Sequence, residues 1–307
     1  FHWQTNVSTN IYGVALNIAP YVLIESAYES SNGTVIPVAF YAIEDHEEDA
    51  RILFQADMER MIEFFERRLG PYPWGQEKIG IAETPHLGME HQTINAYGNE
   101  FKRDRYGFDW LLHHEFSHEW FGNLVTPADW KYLWLNESFA TYFGNGIVAH
   151  YFPQWETWQQ FLWGNTGSAM ARDALLENFA IEIPGGEHVV INVSTAPIIY
   201  SKGGSILRQV EGYIGPQNFK RGLRHYLKTY QYANAASQDL WNSLEKVSEQ
   251  PIANMMKSWI EQPGFPMISV QKQGNKLHLA QQRFTYLPAD SDQQWQLPIH
   301  IQFFSGS

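Results

Sequence analysis

The chain of 307 residues contains no cysteine. This absence excludes disulfide bonds and thiolate metal sites, so a bound metal ion would have to use histidine and carboxylate ligands. It says little about the cellular compartment.

Positive charge is scarce as well, with 21 Lys and Arg against 33 Asp and Glu and a net charge of −12. Without a basic stripe that could neutralise phosphates, we expect no nucleic-acid partner. The glycine pairs at 185–186 and 203–204 match no phosphate-binding loop, and neither a G-x-G-x-x-G nor a Walker pattern occurs. Nucleotide-binding functions are therefore not expected.

Long hydrophobic runs are the third absence. No apolar run reaches the roughly 18 residues that a membrane-spanning helix needs. The stretch 11–24 is interrupted by Asn17 and Pro20, and no Lys or Arg precedes it, so we do not expect it to be a signal peptide. We therefore expect no membrane segment in this chain, and both a cytoplasmic and an exported location stay open.

The composition that is present describes an ordinary globular protein, with 44% hydrophobic and 18% charged residues. The length is sufficient for a large core and for more than one domain. Hydrophobic periodicity predicts strands at both ends of the chain and helices between them. The predicted strands lie within 1–28 and at 35–43, 78–82, 267–271, 276–281 and 296–304, with an extended stretch at 88–97. The predicted helices cover 51–69, 109–121, 135–148, 155–176, 201–214, 217–229, 237–248 and 251–260.

The most informative pattern is H-E-x-x-H, formed by His114, Glu115 and His118. On a helix, positions i and i+4 share one face, so the two imidazoles can converge on one ion. Eighteen residues separate His118 from Glu137, which lies near the start of the next predicted helix and supplies a carboxylate. Two His and one carboxylate suit zinc, with the fourth position open for water, and Glu115 is close enough to act on that water. The alternative is a pair of ordinary histidines on an amphipathic helix.

Several further motifs accompany this one in order along the chain. The stretch 114–126 (HEFSHEWFGNLVT) is followed by 134–140 (WLNESFA), and both resemble the zinc aminopeptidases of the aminopeptidase N and leukotriene hydrolase family, which are gluzincins. The stretch 88–91 (GMEH) is similar to the G-x-M-E-N exopeptidase motif of that family, and 199–203 (IYSKG) resembles its catalytic tyrosine segment. Together these motifs cover roughly residues 1 to 270.

The resemblance implies one zinc ion per chain, with His114, His118 and Glu137 as ligands and Glu115 as general base. It further implies that Tyr200 donates a hydrogen bond to the oxyanion. Substrate binding is implied for Gly88, Met89, Glu90 and His91, with Glu90 binding the free α-amine. The sequence departs from the family pattern at His91, where Asn is usual, and at Ser138, where Gly is usual.

The fold implied by the resemblance is α+β, a thermolysin-like zinc catalytic domain with a small β-sheet lobe and a mostly helical lobe. We expect the catalytic domain to span 29–262. Residues 1–28 would be the end of an N-terminal β domain, and 263–307 the start of a C-terminal β-sandwich domain. The chain would then be an excised catalytic core that packs against an N-terminal β domain nearly absent from it.

The function implied is hydrolysis of the N-terminal peptide bond of peptides that carry a free N-terminus. One alternative is a zinc endopeptidase, or another hydrolase on the same fold. The other is a non-catalytic binding module that keeps the fold. Asp129 is a weaker candidate, which could orient a ligating imidazole. We expect Glu119 to lie at the surface and His113 to be structural or solvated.

Overall fold

The computed structural model describes residues 4–103 and 109–302, which combine small β-sheets with a larger set of helices. The main sheet has five strands in the order β1-β2-β3-β5-β4. In chain order they are β1 (Tyr21–Glu29), β2 (Val35–Ile43), β3 (Ile79–Glu83), β4 (Gly88–Met89) and β5 (Asn95–Tyr97).

Strand β4 lies at the edge of this sheet and pairs antiparallel with β5, while β5, β3 and β2 run parallel. Strands β1 and β2 form an antiparallel hairpin, and β1 crosses the boundary predicted after residue 28. The predicted extended stretch 88–97 is therefore two short strands joined by a turn. The edge position leaves one side of Gly88 and Met89 without a neighbouring strand from residues 4–103 and 109–302.

Of the one or two strands predicted within residues 1–28, the described residues form one, β1. A 3-10 helix (Ile11–Gly13) is followed by irregular chain up to β1. Leu16 and Ile18 are 83% and 89% exposed, so the alternating apolar residues find no strand or core to pack against within the described part of the chain. A period-2 pattern needs a pairing partner to become a strand.

Nine α-helices follow from the stripes of apolar residues. They are α1 (Glu47–Leu69), α2 (Trp110–Ser117), α3 (Trp134–Tyr151), α4 (Thr157–Phe161), α5 (Gly167–Asp173), α6 (Gly203–Ile214), α7 (Pro216–Tyr230), α8 (Ser237–Ser248) and α9 (Ala253–Ile260) among the described residues.

Helix α1 starts four residues earlier than its apolar stripe predicts, because acidic side chains at 47–49 suit the positive end of the helix dipole. It ends before Gly70, whose φ of 119° favours glycine. The helix predicted over 155–176 is largely confirmed, because helical structure runs without a break from Thr157 to Asp173 through α4, a π-helical segment (Leu162–Thr166) and α5. Its predicted ends are two residues too early and three residues too late.

The end of the chain carries a hairpin of β8 (Pro266–Gln273) and β9 (Lys276–Arg283), and two short strands, β6 (Val125–Pro127) and β7 (Ala233–Ala235), pair elsewhere. The predicted strand 296–304 is wrong for residues 296–302, which form no strand, while 303–304 lie outside the described residues.

A buried ion pair joins this hairpin to the helices. Lys202 Nζ lies 2.8 Å from Asp173 Oδ2 and donates a hydrogen bond of 3.0 Å to the Gly264 carbonyl. The Gly264 amide donates in turn to Asp173 Oδ1 at 2.8 Å. These contacts fix the segment that precedes β8 against α5.

The mixed character of the predicted fold is confirmed, with a small sheet and a larger helical part. The thermolysin-like topology, the flanking domains and the boundaries at 28 and 262 stay predictions. Within the described ranges, no helix combines the length and the apolar character needed to cross a membrane.

Candidate metal centre and substrate site

Helix α2 starts at a cap that ties it to the sheet. Asp109 Oδ1 accepts hydrogen bonds from the amides of Leu111 and Leu112 at 3.0 and 3.2 Å. Its other oxygen, Oδ2, accepts from the Tyr97 hydroxyl at 2.5 Å. Because Tyr97 belongs to β5, this cap fixes the helix that carries the H-E-x-x-H residues to the strand next to the edge strand β4.

The other end of α2 orients His118. The helix ends at Ser117, and the chain turns through Gly122, whose φ is 131°. This turn brings the Phe121 carbonyl to 3.0 Å from His118 Nδ1. A proton on Nδ1 then leaves the Nε2 lone pair free for a metal ion. The predicted role of Asp129 is wrong for this ring, since Asp129 instead caps the 3-10 helix Trp130–Tyr132.

Helix α3 brings Glu137 to both histidines. Glu137 Oε2 lies 3.2 Å from His114 Nε2 and 3.6 Å from His118 Nε2, and all three side chains are buried. Ligand atoms about 2.1 Å from a tetrahedrally coordinated ion are about 3.4 Å apart. The three side chains that the sequence predicted as ligands are therefore brought together at a spacing that fits a metal ion.

Glu115 lies in the same buried cluster and faces the edge strand. A Cβ added to Gly88 would meet Glu115 Oε1 at 2.3 Å and Leu111 Cδ1 at 2.8 Å, so this position has room only for glycine. Glu90, Glu115 and His118 also converge, with ligand atoms within 4.8 Å of one another. The general-base candidate and the amine-site candidate thus border the same space as His118.

The ionisation of this cluster favours a cation. Burial raises the pKa of Glu115 well above its ordinary value, and the charges of Glu90 and Glu137 raise it further. Burial also raises the pKa of Glu137 to about 7, against the opposing effect of His118. Burial lowers the pKa of His114 to about 4, which keeps the ring neutral and its lone pair available. Several buried carboxylates with neutral imidazoles form a donor set that suits a divalent cation.

Tyr200 lies against His114 on the other side of the cluster. The two rings stack with centroids 5.8 Å apart and an angle of 12°. Tyr200 belongs to a π-helical segment (Pro197–Lys202), a geometry that is frequent at functional sites. Burial, Glu137 and Glu90 raise the pKa of Tyr200, so its hydroxyl stays protonated and can donate a hydrogen bond.

Ser138 connects the helix of Glu137 to the segment of Tyr200. Its hydroxyl donates a hydrogen bond of 2.7 Å to the Ile199 carbonyl, and its side chain is fully buried. A Cβ on Gly203 would meet Ser138 Oγ at 1.8 Å, so the two elements are in direct contact. The departure from the family pattern at Ser138 therefore adds a hydrogen bond between two parts of the site.

Glu90 is buried beside the metal-ligand candidates and is held by its backbone. Asn123 Nδ2 donates to the Glu90 carbonyl oxygen at 2.9 Å and also to Glu119 Oε2 at 3.2 Å. Glu119 Oε1 accepts from the Thr93 amide at 3.0 Å and from Asn95 Nδ2 at 3.2 Å. The prediction that Glu119 lies at the surface is wrong, because this carboxylate links the end of α2 to the turn that follows Glu90.

His91 is half-buried next to Glu90. Burial lowers the pKa of its imidazole, and the nearby charge of Glu90 opposes this effect. Its Nδ1 has no hydrogen-bond partner among the described residues, and its ring meets that of His86 edge to face at 6.4 Å. His113 is buried, in agreement with the structural alternative for that residue.

A cavity of about 390 Å³ lies away from this cluster, and another of about 350 Å³ borders it. The adjoining cavity is lined by Trp110, His114, Ala140, Thr141, Gly144, Asn145, Asn165 and Tyr200. Because His114 and Tyr200 form part of its wall, a side chain placed in this cavity would lie next to the ligand cluster. Its mixed lining can accommodate more than one kind of side chain.

Comparison with known proteins decides the family. The model of the peptidase family M1 domain matches residues 55–259, about two thirds of the chain. The chain belongs to peptidase family M1. The match includes all the residues of the M1 motifs discussed above, from Gly88 to Gly203.

Curated relatives agree with this assignment. This M1 chain is 34% identical over 268 residues to "Probable aminopeptidase 2" of Sulfurisphaera tokodaii. That alignment covers 87% of this chain and 33% of the length of the relative. It is 38% identical over 192 residues to "Leucyl aminopeptidase" of Saccharolobus solfataricus, with 62% and 24% covered. "Aminopeptidase M1-D" of Oryza sativa is 40% identical over 188 residues, with 61% and 21% covered. The M1 chain thus spans a third or less of the length of these relatives.

Sequence reasoning did not assign any role to Tyr12 or Asn123, which both contact Glu90. Asn123 offered one signal, because it follows Glu119 by four residues and Glu119 follows Glu115 by the same spacing. Tyr12 offered none, since it lies far from the M1 motifs in the chain and reaches them only through folding.

Proposed function

We propose that this chain is the catalytic part of a zinc aminopeptidase that hydrolyses the N-terminal peptide bond of peptides. The observation that supports this most directly is the buried cluster of His114, His118 and Glu137, with Glu115 and Glu90 at the same space. The names of the relatives add aminopeptidase as the reaction class. A thermolysin-like catalytic domain flanked by β domains is part of the same proposal.

The metal site would use His114 Nε2, His118 Nε2 and Glu137 Oε2. A donor set of two imidazoles and one carboxylate is the set that catalytic zinc uses in many hydrolases. Zinc bound there supplies Lewis acidity, which lowers the pKa of a water molecule and polarises the scissile carbonyl. The Phe121 carbonyl holds the His118 ring in the orientation that this requires.

Glu115 would move the proton in the reaction. Its carboxylate accepts the proton of the attacking water and passes it to the leaving amine. The burial that raises the pKa of Glu115 makes it a stronger base than an exposed carboxylate. Its position at the Gly88 backbone places it beside the strand that would hold the substrate.

Tyr200 and Glu90 would stabilise two different charges, the oxyanion and the substrate ammonium. The Tyr200 hydroxyl donates a hydrogen bond to the oxyanion, a charge that forms only near the transition state. Glu90 binds the substrate ammonium and so fixes where the peptide begins. Gly88 and Met89 form an edge strand that can pair with the extended peptide, and His91 completes the segment.

Hydrolysis of a series of aminoacyl-coumarin substrates by the full-length protein, with and without a chelator, tests the proposal. We expect chelator-sensitive release from free-amine substrates and at least about a hundredfold slower release from N-acetylated ones. Equal cleavage of both forms would indicate an endopeptidase. Less than about half an equivalent of bound zinc, with no activity after zinc is added back, would indicate a binding module.

A further inference from the structure

Residues 8–13 lie directly against the segment that carries Glu90. Gln92 Nε2 donates hydrogen bonds of 3.1 Å to the Ser8 carbonyl and to Thr9 Oγ1. A Cβ on the buried Gly13 would lie 3.5 Å from the Gln92 amide nitrogen. This contact comes from outside the residues 55–259 that match the family model.

The contact brings the Tyr12 hydroxyl to Glu90. Tyr12 lies in the 3-10 helix, where Asn10 Oδ1 accepts from its amide at 3.2 Å. Its hydroxyl lies 3.5 Å from Glu90 Oε1 and 3.4 Å from Asn123 Oδ1. The ring meets Trp130 edge to face at 5.7 Å, which holds the hydroxyl in place.

The Tyr12 hydroxyl is protonated and can therefore donate a hydrogen bond. Burial raises its pKa, and the charges of Glu90 and Glu137 raise it further. A neutral phenol has one proton to donate and lone pairs with which to accept. A hydroxyl that donates to the Glu90 carboxylate can therefore still accept one hydrogen bond from a cation bound to that carboxylate.

We propose that Tyr12 is a further residue of the amine site, where its hydroxyl donates to Glu90 and its oxygen accepts a hydrogen bond from the substrate ammonium. This inference rests on the proposed aminopeptidase function. Tyr12 then completes a cage with Glu90 that only a free N-terminus can fill. The segment 8–13 is thereby a wall of the active site.

The test compares Tyr12→Phe with the unmodified full-length, zinc-loaded protein on its best aminoacyl-coumarin substrate. We expect kcat/KM to fall about tenfold, as for the loss of a hydrogen bond to a charged group. The loss should lie mostly in KM, because the contact exists in the bound substrate as well as in the transition state. Zinc content and Tm should stay unchanged, since Phe keeps the ring packing.

Tyr28→Phe is the matched control, because the Tyr28 hydroxyl also donates to a buried carboxylate, Glu66 Oε2, at 3.3 Å. This variant should keep its KM. In a Glu90→Gln background, Tyr12→Phe should change KM less than twofold, since the partner that it serves has lost its charge.

Three results would overturn the inference. A Tyr12→Phe variant with kcat/KM within twofold of the unmodified protein would show that the hydroxyl is not used. An equal loss in the Glu90→Gln background would show that Tyr12 acts independently of Glu90. If the unmodified protein itself releases no coumarin, the proposed function fails, and the inference fails with it.

Discussion

At the scale of single residues, the site is a group of buried carboxylates with different partners. Glu137 faces two imidazoles, Glu115 faces the Gly88 backbone, and Glu119 accepts hydrogen bonds from amide groups. Neutral donors satisfy Glu119, whereas the others border the space that a metal ion and a substrate would fill. The hydrogen-bond partners thus indicate a structural role for Glu119 and leave Glu115 and Glu137 available for chemistry.

Glu115→Gln should abolish turnover and leave metal binding intact. The amide has nearly the same shape but cannot accept the proton of water, so we expect kcat to fall by about 100-fold to 10,000-fold. Zinc content, measured by atomic absorption, should equal that of the unmodified protein. Near-normal activity in this variant would contradict the assignment of Glu115 as general base.

Glu119→Gln should destabilise the protein. Glu119 Oε1 and Oε2 accept from three donors, and an amide nitrogen in place of one oxygen would face a donor instead. We expect the free energy of unfolding to fall by about 1–3 kcal/mol, measured by urea denaturation. Glu245→Gln, which changes another acceptor of backbone amides, is the control for a general loss of charge. A Glu119→Gln variant as stable as the unmodified protein would show that these contacts contribute little.

The metal-ligand set could be predicted from the sequence because helix geometry places His114 and His118 on one face. The role of Glu119 could not be predicted in this way. Its donors Thr93 and Asn95 lie more than twenty positions earlier in the chain, and only the packing of α2 on the sheet brings them close. An acid beside a motif resembles a solvated residue until such tertiary donors are known.

At the scale of elements, the site depends on how α3 meets the π-helical segment of Tyr200. Ser138 and Gly203 form that contact, and the Ser138 hydroxyl donates to the Ile199 carbonyl next to Tyr200. Because Tyr200 stacks on His114, the position of the π-helical segment determines where the Tyr200 ring lies relative to this ligand candidate. The sequence predicted the helices on both sides but not the π-helical geometry, because that depends on this packing.

Ser138→Ala should reduce kcat more than it raises KM. It leaves the Ile199 carbonyl without the Ser138 hydroxyl, which costs about 1–3 kcal/mol and loosens the segment that holds Tyr200. Since Tyr200 is proposed to act in the transition state, we expect kcat to fall about three- to tenfold in steady-state kinetics. Ser243→Ala, which removes a partly buried hydrogen bond from the Ser243 hydroxyl to the Asp239 carbonyl in α8, should keep kcat. Equal losses in both variants would indicate a general effect of stability.

Element boundaries show a similar division between local and tertiary causes. Helix α8 starts and ends at Ser237 and Ser248, as its apolar stripe predicts. The residues before β1 alternate as a strand would, yet they form none among the described residues. A helix makes its hydrogen bonds internally, whereas a strand needs a partner, so helices are easier to predict from one sequence.

At the scale of the whole molecule, a bound metal ion would join parts that folding has to bring together. The ligand candidates lie on α2, at its C-terminal cap and on α3, and the cluster also borders β4 through Glu115. Metal binding there would therefore couple to the packing of both helices.

Chelation should lower the thermal stability of the full-length protein. A ligand that binds only the folded state at 1,000 times its Kd contributes about 4 kcal/mol, so we expect Tm to fall by roughly 5–15 °C. Differential scanning calorimetry before and after chelation, with zinc then added back, measures this. A Tm that does not respond to zinc would contradict a metal site made by these three side chains.

The ion pair of Lys202 and Asp173 bears on how the chain can be divided. Gly264, which lies beyond the boundary predicted at residue 262, makes a hydrogen bond to each of the two charged side chains. Cutting the chain at that boundary would remove the Gly264 carbonyl that accepts from Lys202 and the Gly264 amide that donates to Asp173. Lys202 lies two residues after Tyr200, so the lost contacts are close to the site. These contacts therefore link the helical part to the segment that precedes the hairpin, and we expect a fragment that ends before Gly264 to be less stable than one that includes it.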